Sequence, residues 1–423
     1  MSPRLPFLAI VVLALSGAVL ASEGADRPDS AVAASPQADS TGTTWFCAGG
    51  TATSAPAASF ADHTVIVDAG ARPLTGHLTV VPGDVPGPPL APTSSSSSTT
   101  TEPAGGSSTT STTTSTTVAE LRDRPGAPLT RTFALAAGEQ GRFRLGDMVE
   151  APLAAAVVEI DTDRARVPPL TPGRNPGGVT PQVSHEVAGP QGTDSSPCTS
   201  RSSSTWHFAW GTTTRDASER LVLFNPFPND ATVDAVFSTD RGVREPLRWQ
   251  GLTVPARSVV AVEVGDDVTR RGHVAATLHV RGGRLVVDRL QAFDGQLGSA
   301  GLSVAAGVTE PATRWTFAPG LVDDAHAERI VLYNPGDAVA DVEVAVVPDA
   351  GRPPEPFAVV VRPGRYEVLD LAQQPRVPWG IPHTITVTSH DGVPVVAERV
   401  TGTPATGPAT PTLRLDTDSP TPG

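Results

Sequence analysis

The sequence predicts an all-β protein built from three tandem copies of one antiparallel β-sandwich module behind an N-terminal export signal. Three observations predict it. A Trp-anchored motif occurs three times, short β-branched runs are broken by turn residues roughly every 8 to 12 positions, and helical spacing is almost absent after the first segment.

The motif is Trp-x-(Cys or Phe)-Ala-x-Gly, at Trp45, Cys47, Ala48 and Gly50, at Trp206, Phe208, Ala209 and Gly211, and at Trp315, Phe317, Ala318 and Gly320. At one common offset the second copy continues into Glu219-Arg220 and ends at Asn225-Pro226; the third continues into Glu328-Arg329 and ends at Asn334-Pro335. A later gap-free match runs from His273 to Asp288-Arg289 and from His383 to Glu398-Arg399. The second copy gives the clearest strands: Trp206 to Ala209, Arg220 to Phe224, Thr232 to Phe237, Pro246 to Val254, Ser258 to Val264, His273 to Val280 and Arg284 to Gln291. Alternation within them, as at Val260, Val262 and Val264, places one face inward, and such a strand count suits a two-sheet sandwich of the immunoglobulin-like kind. A propeller is excluded, because about 90 to 110 residues per copy is too long for a blade and three copies close no ring.

In chain order, residues 1–21 read as a secretory signal: Arg4, an apolar run from Leu5 to Leu20, then small residues Val19 and Ala21 before a cut. The run is shorter than the roughly 20 residues that cross a bilayer, and an uncleaved anchor is the alternative. Residues 22–43 read as a disordered linker. The first module, 44–200, has strands at Thr64 to Val67 and Gly76 to Val81, then an insertion at 93–117 made almost entirely of Ser and Thr, a composition that buries no core. It resumes at Arg131 to Leu135, Ala154 to Ile160 and Val183 to Val187. The second module spans 205–308 and the third 314–415, where Leu413-Arg414-Leu415 matches Leu302-Ser303-Val304 as a last strand; 416–423 is a disordered tail.

Two cysteines, Cys47 and Cys198, suit a disulfide in an exported chain. It would tie together the ends of the interrupted module, worth about 3 to 5 kcal/mol on the chain-entropy account. All 31 cationic side chains are Arg, so a Walker-type loop, a Schiff-base lysine and a Ser-x-x-Lys site cannot be built. The net charge of −13 speaks against nucleic acid as a partner, and a membrane is met only through an uncleaved N-terminus.

No Gly-x-Ser-x-Gly elbow is present, His185-Glu186 is followed by Gly189 where a zinc-protease helix needs its second His, and Asp161-Thr162-Asp163 and Asp416-Thr417-Asp418 do not continue into calcium loops. No cofactor or metal is expected. Trp45, Trp206 and Trp315 recur and read as module construction. Asp288/Arg289 and Glu398/Arg399 read as exposed or half-exposed ion pairs along a strand, and His273 and His383 as hydrogen-bonding residues at strand starts. Candidate ligand contacts are those where copies differ: Trp210 and His207, and Trp379 in the loop before His383.

The Trp-Phe-Cys-Ala-Gly-Gly segment at Trp45 to Gly50, the second Cys near the end of the first module and the later Trp-x-Phe-Ala motifs resemble a family of exported actinobacterial proteins, the domain of unknown function 5719. The resemblance covers most of Thr44 to Leu415 and implies a cell-envelope setting, with no activity, cofactor or site to carry over. The expected function is that of a non-enzymatic exported cell-envelope protein, a structural or interaction scaffold whose partner is an envelope polysaccharide or an envelope protein. Envelope polysaccharide binding through Trp210 or Trp379 is the alternative, and a carboxylate-based glycosidase a third.

Overall fold

The computed structural model describes residues 43–53, 60–83, 126–161, 181–295 and 300–402, all within one compact unit, Pro36–Gly423. The signal, the linker, the Ser/Thr insertion, the strand at Leu413 to Leu415 and the tail fall outside the described residues.

The described residues are almost entirely β. The first module contains β1 (Thr44–Ala52), β2 (Asp62–Asp68), β3 (Leu74–Gly83), β4 (Leu129–Leu135), β5 (Gln140–Arg144), β6 (Ala151–Ile160), β7 (Gln182–Gly189) and β8 (Gly192–Pro197). The second contains β9 (Thr205–Phe208), β10 (Ala217–Asn225), β11 (Ala231–Thr239), a short β12 (Gly242–Arg244), β13 (Gln250–Val254), β14 (Ser258–Glu263), β15 (Val274–Gly282), β16 (Val286–Asp294) and β17 (Ala300–Ala306). The third contains β18 (Arg314–Gly320), β19 (Ala327–Asn334), β20 (Ala340–Pro348), β21 (Phe357–Val361), β22 (Arg365–Asp370), β23 (His383–Ser389) and β24 (Val396–Gly402).

One pairing scheme recurs. The motif strand lies in a sheet ordered β4-β3-β6-β1 in the first module, with β13, β11, β15 and β9 as the corresponding strands of the second and β21-β20-β23-β18 of the third. The strand after the motif lies in the facing sheet: β5-β2-β7-β8, β14-β10-β16-β17 and β22-β19-β24. The expected sandwiches of two antiparallel sheets are present. Their terminal strands are distributed differently from an immunoglobulin constant domain, in which the first strand joins the second. Here the first strand pairs antiparallel with the sixth, the short β12 not counted, as β1 with β6 and β9 with β15. In the first module a single parallel bridge, Thr51 to Asp62, also links the two sheets.

The second-module strands fall where alternation places them, with one shortening. The run from Pro246 begins as a 3-10 turn, Leu247–Trp249, because the Trp249 N–H closes back on the Pro246 carbonyl; the strand starts only at Gln250. The turn buries Trp249 against Phe237, ring centroids 5.1 Å apart.

Cys47 and Cys198 are bonded, and both belong to the core of the first module with Val65, Leu78, Leu145 and Val158. Cores do not stop at module boundaries. One continuous cluster joins Ala48, Val81 and Leu153 of the first module to Val222, Val259 and Trp206 of the second, and another joins Trp210 and Phe293 to Val331, Tyr333 and Val400 of the third. Each fully buried Val or Leu in these clusters contributes about 1.5 to 3 kcal/mol. Each junction therefore seats the outer face of one module's motif sheet on the outer face of the next module's facing sheet.

Candidate functional site

The most unusual chemistry lies in these junctions, where charged side chains that the sequence suggested were solvated are buried. Strand register fixes the correspondence between copies. Val65 pairs with His185, Leu221 with Arg289 and Ile330 with Arg399, so His185, Arg289 and Arg399 occupy one position of the repeat. By the same registers Ser184, Asp288 and Glu398 are equivalent, as are His63, Glu219 and Glu328.

At the first junction Asp288 projects from β16 into the motif of the first module, where its Oδ2 accepts the Ala48 N–H at 3.0 Å. Approach this close needs glycine: a Cβ on Gly49 would overlap the Val222 side chain. Oδ2 also lies 3.5 Å from His185 Nε2, and His185 Nδ1 lies 3.1 Å from His63 Nε2. His63 Nδ1 faces the Ala154 carbonyl at 3.0 Å. A carbonyl only accepts, so His63 donates through Nδ1 and, when neutral, accepts through Nε2; His185 must then donate through Nδ1. One proton is left for the gap between His185 Nε2 and Asp288. Burial pushes the Asp288 carboxyl up to about 7 against the pull of the Ala48 and Gly49 amides. Burial likewise lowers His63 to about 4, and burial with the neighbouring His63 holds His185 well below the usual range. With Asp288 raised and His185 lowered, the proton rests on Asp288 below about pH 7, where the junction is neutral with neutral.

The second junction repeats the geometry with charge. Glu398 enters from β24, taking the Ala209 N–H on Oε1 at 2.8 Å and the Arg289 guanidinium on Oε2 at 2.9 Å. Arg289, fully buried, also donates to the Trp210 carbonyl and lies 5.1 Å from the Trp210 ring centroid. Alongside, His207 Nδ1 meets Thr277 Oγ1 at 3.0 Å, and Thr277 meets the Tyr333 hydroxyl of the third module at 3.0 Å. His273 stacks on Tyr366, centroids 4.9 Å apart. Glu219 lies beneath Gly211, where a Cβ would collide with its carboxyl, and neither of its oxygens has a hydrogen-bond partner among the described residues. Burial, only partly offset by Arg289, holds its pKa well above the carboxylate range.

In the third module the equivalent residues close on one another. Glu328 meets His383 Nε2 at 2.9 Å and Arg399 Nη1 at 3.6 Å, while His383 Nδ1 faces the Ile381 carbonyl at 3.1 Å. Burial opposes charge on His383, but hydrogen bonding and attraction from Glu328 win and raise its pKa. With the Ile381 carbonyl and the Glu328 carboxyl facing its two ring nitrogens, His383 is held toward its imidazolium form. Arg399 donates to the Ala318 carbonyl at 2.6 Å. Unlike their counterparts, Thr316 and Pro319 are exposed and Ala318 and Gly320 half-buried.

These placements revise two expectations. Asp288/Arg289 and Glu398/Arg399 are buried: Asp288 and Glu398 face outward from their strands and meet the preceding module instead of water, while Arg289 and Arg399, on the opposite face, turn inward against the motif strand of their own module. Trp210 and His207 are also buried, at 4% exposure each, packed inside the second junction and not presented to a ligand. Trp379 is 54% exposed, in a loop held beside the segment after β18 by the Gly380 N–H on the Val322 carbonyl. Trp206 and Trp315 are buried, each donating its indole N–H to a backbone carbonyl, Leu285 or Val395; Trp45 is partly buried against the core. Glu219, Glu328 and His63 are site residues the sequence reading missed; the repeated acid under a motif glycine was the available signal for the first two, whereas the first copy carries His63 where the others carry that acid. Among the described residues no group of three or more His, Cys, Asp or Glu side chains is arranged to hold a metal.

No curated protein matches the chain. Among solved structures, the Anabaena sensory rhodopsin transducer is 21% identical, over 22% of this chain and 98% of that one, with a TM-score of 0.20. Thermotoga maritima 1070 is 20% identical, over 26% and 95%, with a TM-score of 0.23. A family model matches residues 169–407, which hold the end of the first module and the described parts of the second and third. With more than half of its length matched, the chain belongs to the Family of unknown function (DUF5719).

Proposed function

We propose that the protein is a non-enzymatic, exported interaction scaffold of an actinobacterial cell envelope. One observation carries the reading: the recurring acids, Asp288 and Glu398, are consumed in fastening modules together, shut away from any substrate. Buried ionisable groups often mark catalysis, but Asp288 and Glu398 each face a neighbouring module's backbone amide. The Cys47–Cys198 bridge supports an oxidising, extracytoplasmic setting. The test is fractionation of cells producing the tagged full chain. The scaffold reading expects it in the envelope fraction, crosslinked to protein; a hydrolase activity of the purified chain that is lost on changing one carboxylate would contradict it.

A second reading, recognition of envelope polysaccharide, is favoured by Trp379, whose exposed ring can stack on a sugar. Co-sedimentation with isolated wall polysaccharide, abolished by Trp379→Ala, is the outcome it expects. Equal sedimentation of wild type and variant removes it.

A further inference from the structure

Of the six Trp, all among the described residues, Trp379 alone is exposed, and its loop is pinned at three points. Val377 is buried in the core of the third module, the Arg376 guanidinium lies over the Phe357 ring at 3.7 Å, and the Gly380 N–H donates to the Val322 carbonyl at 2.8 Å. The last bond sets the loop against the segment after β18, which is pinned in turn by Val322 in the same core. Trp379 and Asp323 therefore each stand one residue from a shared backbone hydrogen bond.

Asp323 closes a turn on one of its two oxygens. Oδ1 accepts the Ala325 N–H at 2.7 Å, the His326 N–H at 2.8 Å and the His326 Nδ1–H at 2.7 Å, while Oδ2 meets no donor among the described residues. Hydrogen bonds from Ala325 and His326 hold this carboxyl below its ordinary range, so it is a carboxylate with one oxygen to spare. The geometry points to a sugar-binding site made of Trp379 and Asp323, in which one neutral pyranose stacks its apolar face on the indole and donates a hydroxyl to Asp323 Oδ2. This rests on the polysaccharide reading and specifies both the class of sugar and the second contact.

A pyranose has an apolar face and a rim of hydroxyls, and an indole beside a carboxylate meets both. A Trp that anchors a protein partner needs apolar surface around it to bury, whereas the segment opposite Trp379 is Asp323-Asp324-Ala325-His326, polar except at Ala325. Charge selects among sugars. Asp323 and Asp324 repel a uronate or a phosphorylated sugar, and Arg376, the cation of the Trp379 loop, is engaged by Phe357. Both loops are anchored in the core before a ligand arrives, so little ordering has to accompany binding.

The probes are oligosaccharides from partly hydrolysed wall polysaccharide, separated into neutral and uronate-containing fractions. The indole N–H resonance of Trp379 in the full chain, assigned with Trp379→Phe, reports binding. The expected result is a shift with the neutral fraction at an affinity about tenfold above that for the uronate fraction, a preference that needs no variant. Asp323→Asn keeps Oδ1 and with it the turn, but puts an amide donor in place of Oδ2. The Ala325 and His326 amide resonances should stay in place while affinity for the neutral fraction falls about tenfold. Equal affinity of wild type and Asp323→Asn overturns the site, as does a preference for the uronate fraction or a shift with the intact polymer alone. Each of these leaves the polysaccharide reading standing if Trp379→Ala abolishes co-sedimentation with the polymer. An indole unmoved by either fraction and by the polymer removes the site and that reading together, and one that responds only to envelope protein makes Trp379 a protein contact and overturns the proposal.

Discussion

At the scale of single residues, the junctions turn on where protons and charges sit. Asp288 is protonated up to about pH 7 in the folded protein but ionises near its ordinary 3.8 when unfolded, so its contribution is full below 3.8 and is lost as pH rises toward 7. His63 runs the other way: lowered to about 4, it contributes above 6.5 and loses that contribution as pH falls toward 4. Comparing wild type with Asp288→Asn isolates the first effect. The stability difference between them should change by about 1.4 kcal/mol per pH unit between roughly pH 4.5 and 6.5, wild type gaining relative to the variant as pH falls. Urea unfolding at several pH values measures it, and parallel curves would show that Asp288 is ionised in the folded state. The sequence made the residues visible as repeats but not their setting, because an outward position on a strand looks the same whether water or another module covers it. Only the unbroken burial of Val286 to Phe293 on both faces of β16 reveals the second case.

At the scale of elements, close approach of strands sets the tolerances. Gly49 on β1 meets Val222 on β10 with no room for a methyl group, so Gly49→Ala should destabilise by about 1 to 3 kcal/mol, and Val222→Ala should restore part of the loss. Denaturant midpoints of the two single variants and the double variant check this; additive losses would place the strain elsewhere. The disulfide joins β1 to the end of β8 across 151 residues of sequence. Reducing it should cost the first module about 2 to 5 kcal/mol, seen as faster amide exchange in β2 and β7 with β19 and β24 unaffected. Strands were the most legible feature, since alternation as at Val260 and Val262 is a local signal. The 3-10 turn at Leu247–Trp249 was not, because a turn that begins at a proline and a strand that begins there share a composition.

At the scale of the whole molecule, the three modules are joined by one repeated device: an acid on β16 or β24 of one module entering the Trp-motif strand of the module before it. Repetition of the motif told the number of modules; the order of docking required knowing that Asp288 and Glu398 cross a boundary. Burying an ion pair is costly in itself, and what makes removal of one partner severe is the charge left behind. Arg289→Met should therefore destabilise by about 3 to 5 kcal/mol, while the same change at Arg281, whose pairing with Asp234 is largely exposed, should cost about 1 kcal/mol or less. The most direct measurement is a double-mutant cycle across the second junction: urea unfolding of wild type, Arg289→Met, Glu398→Gln and the double variant. The junction described here predicts a coupling of about 1.5 to 3 kcal/mol between the two residues. Effects that add within about 0.5 kcal/mol would contradict it.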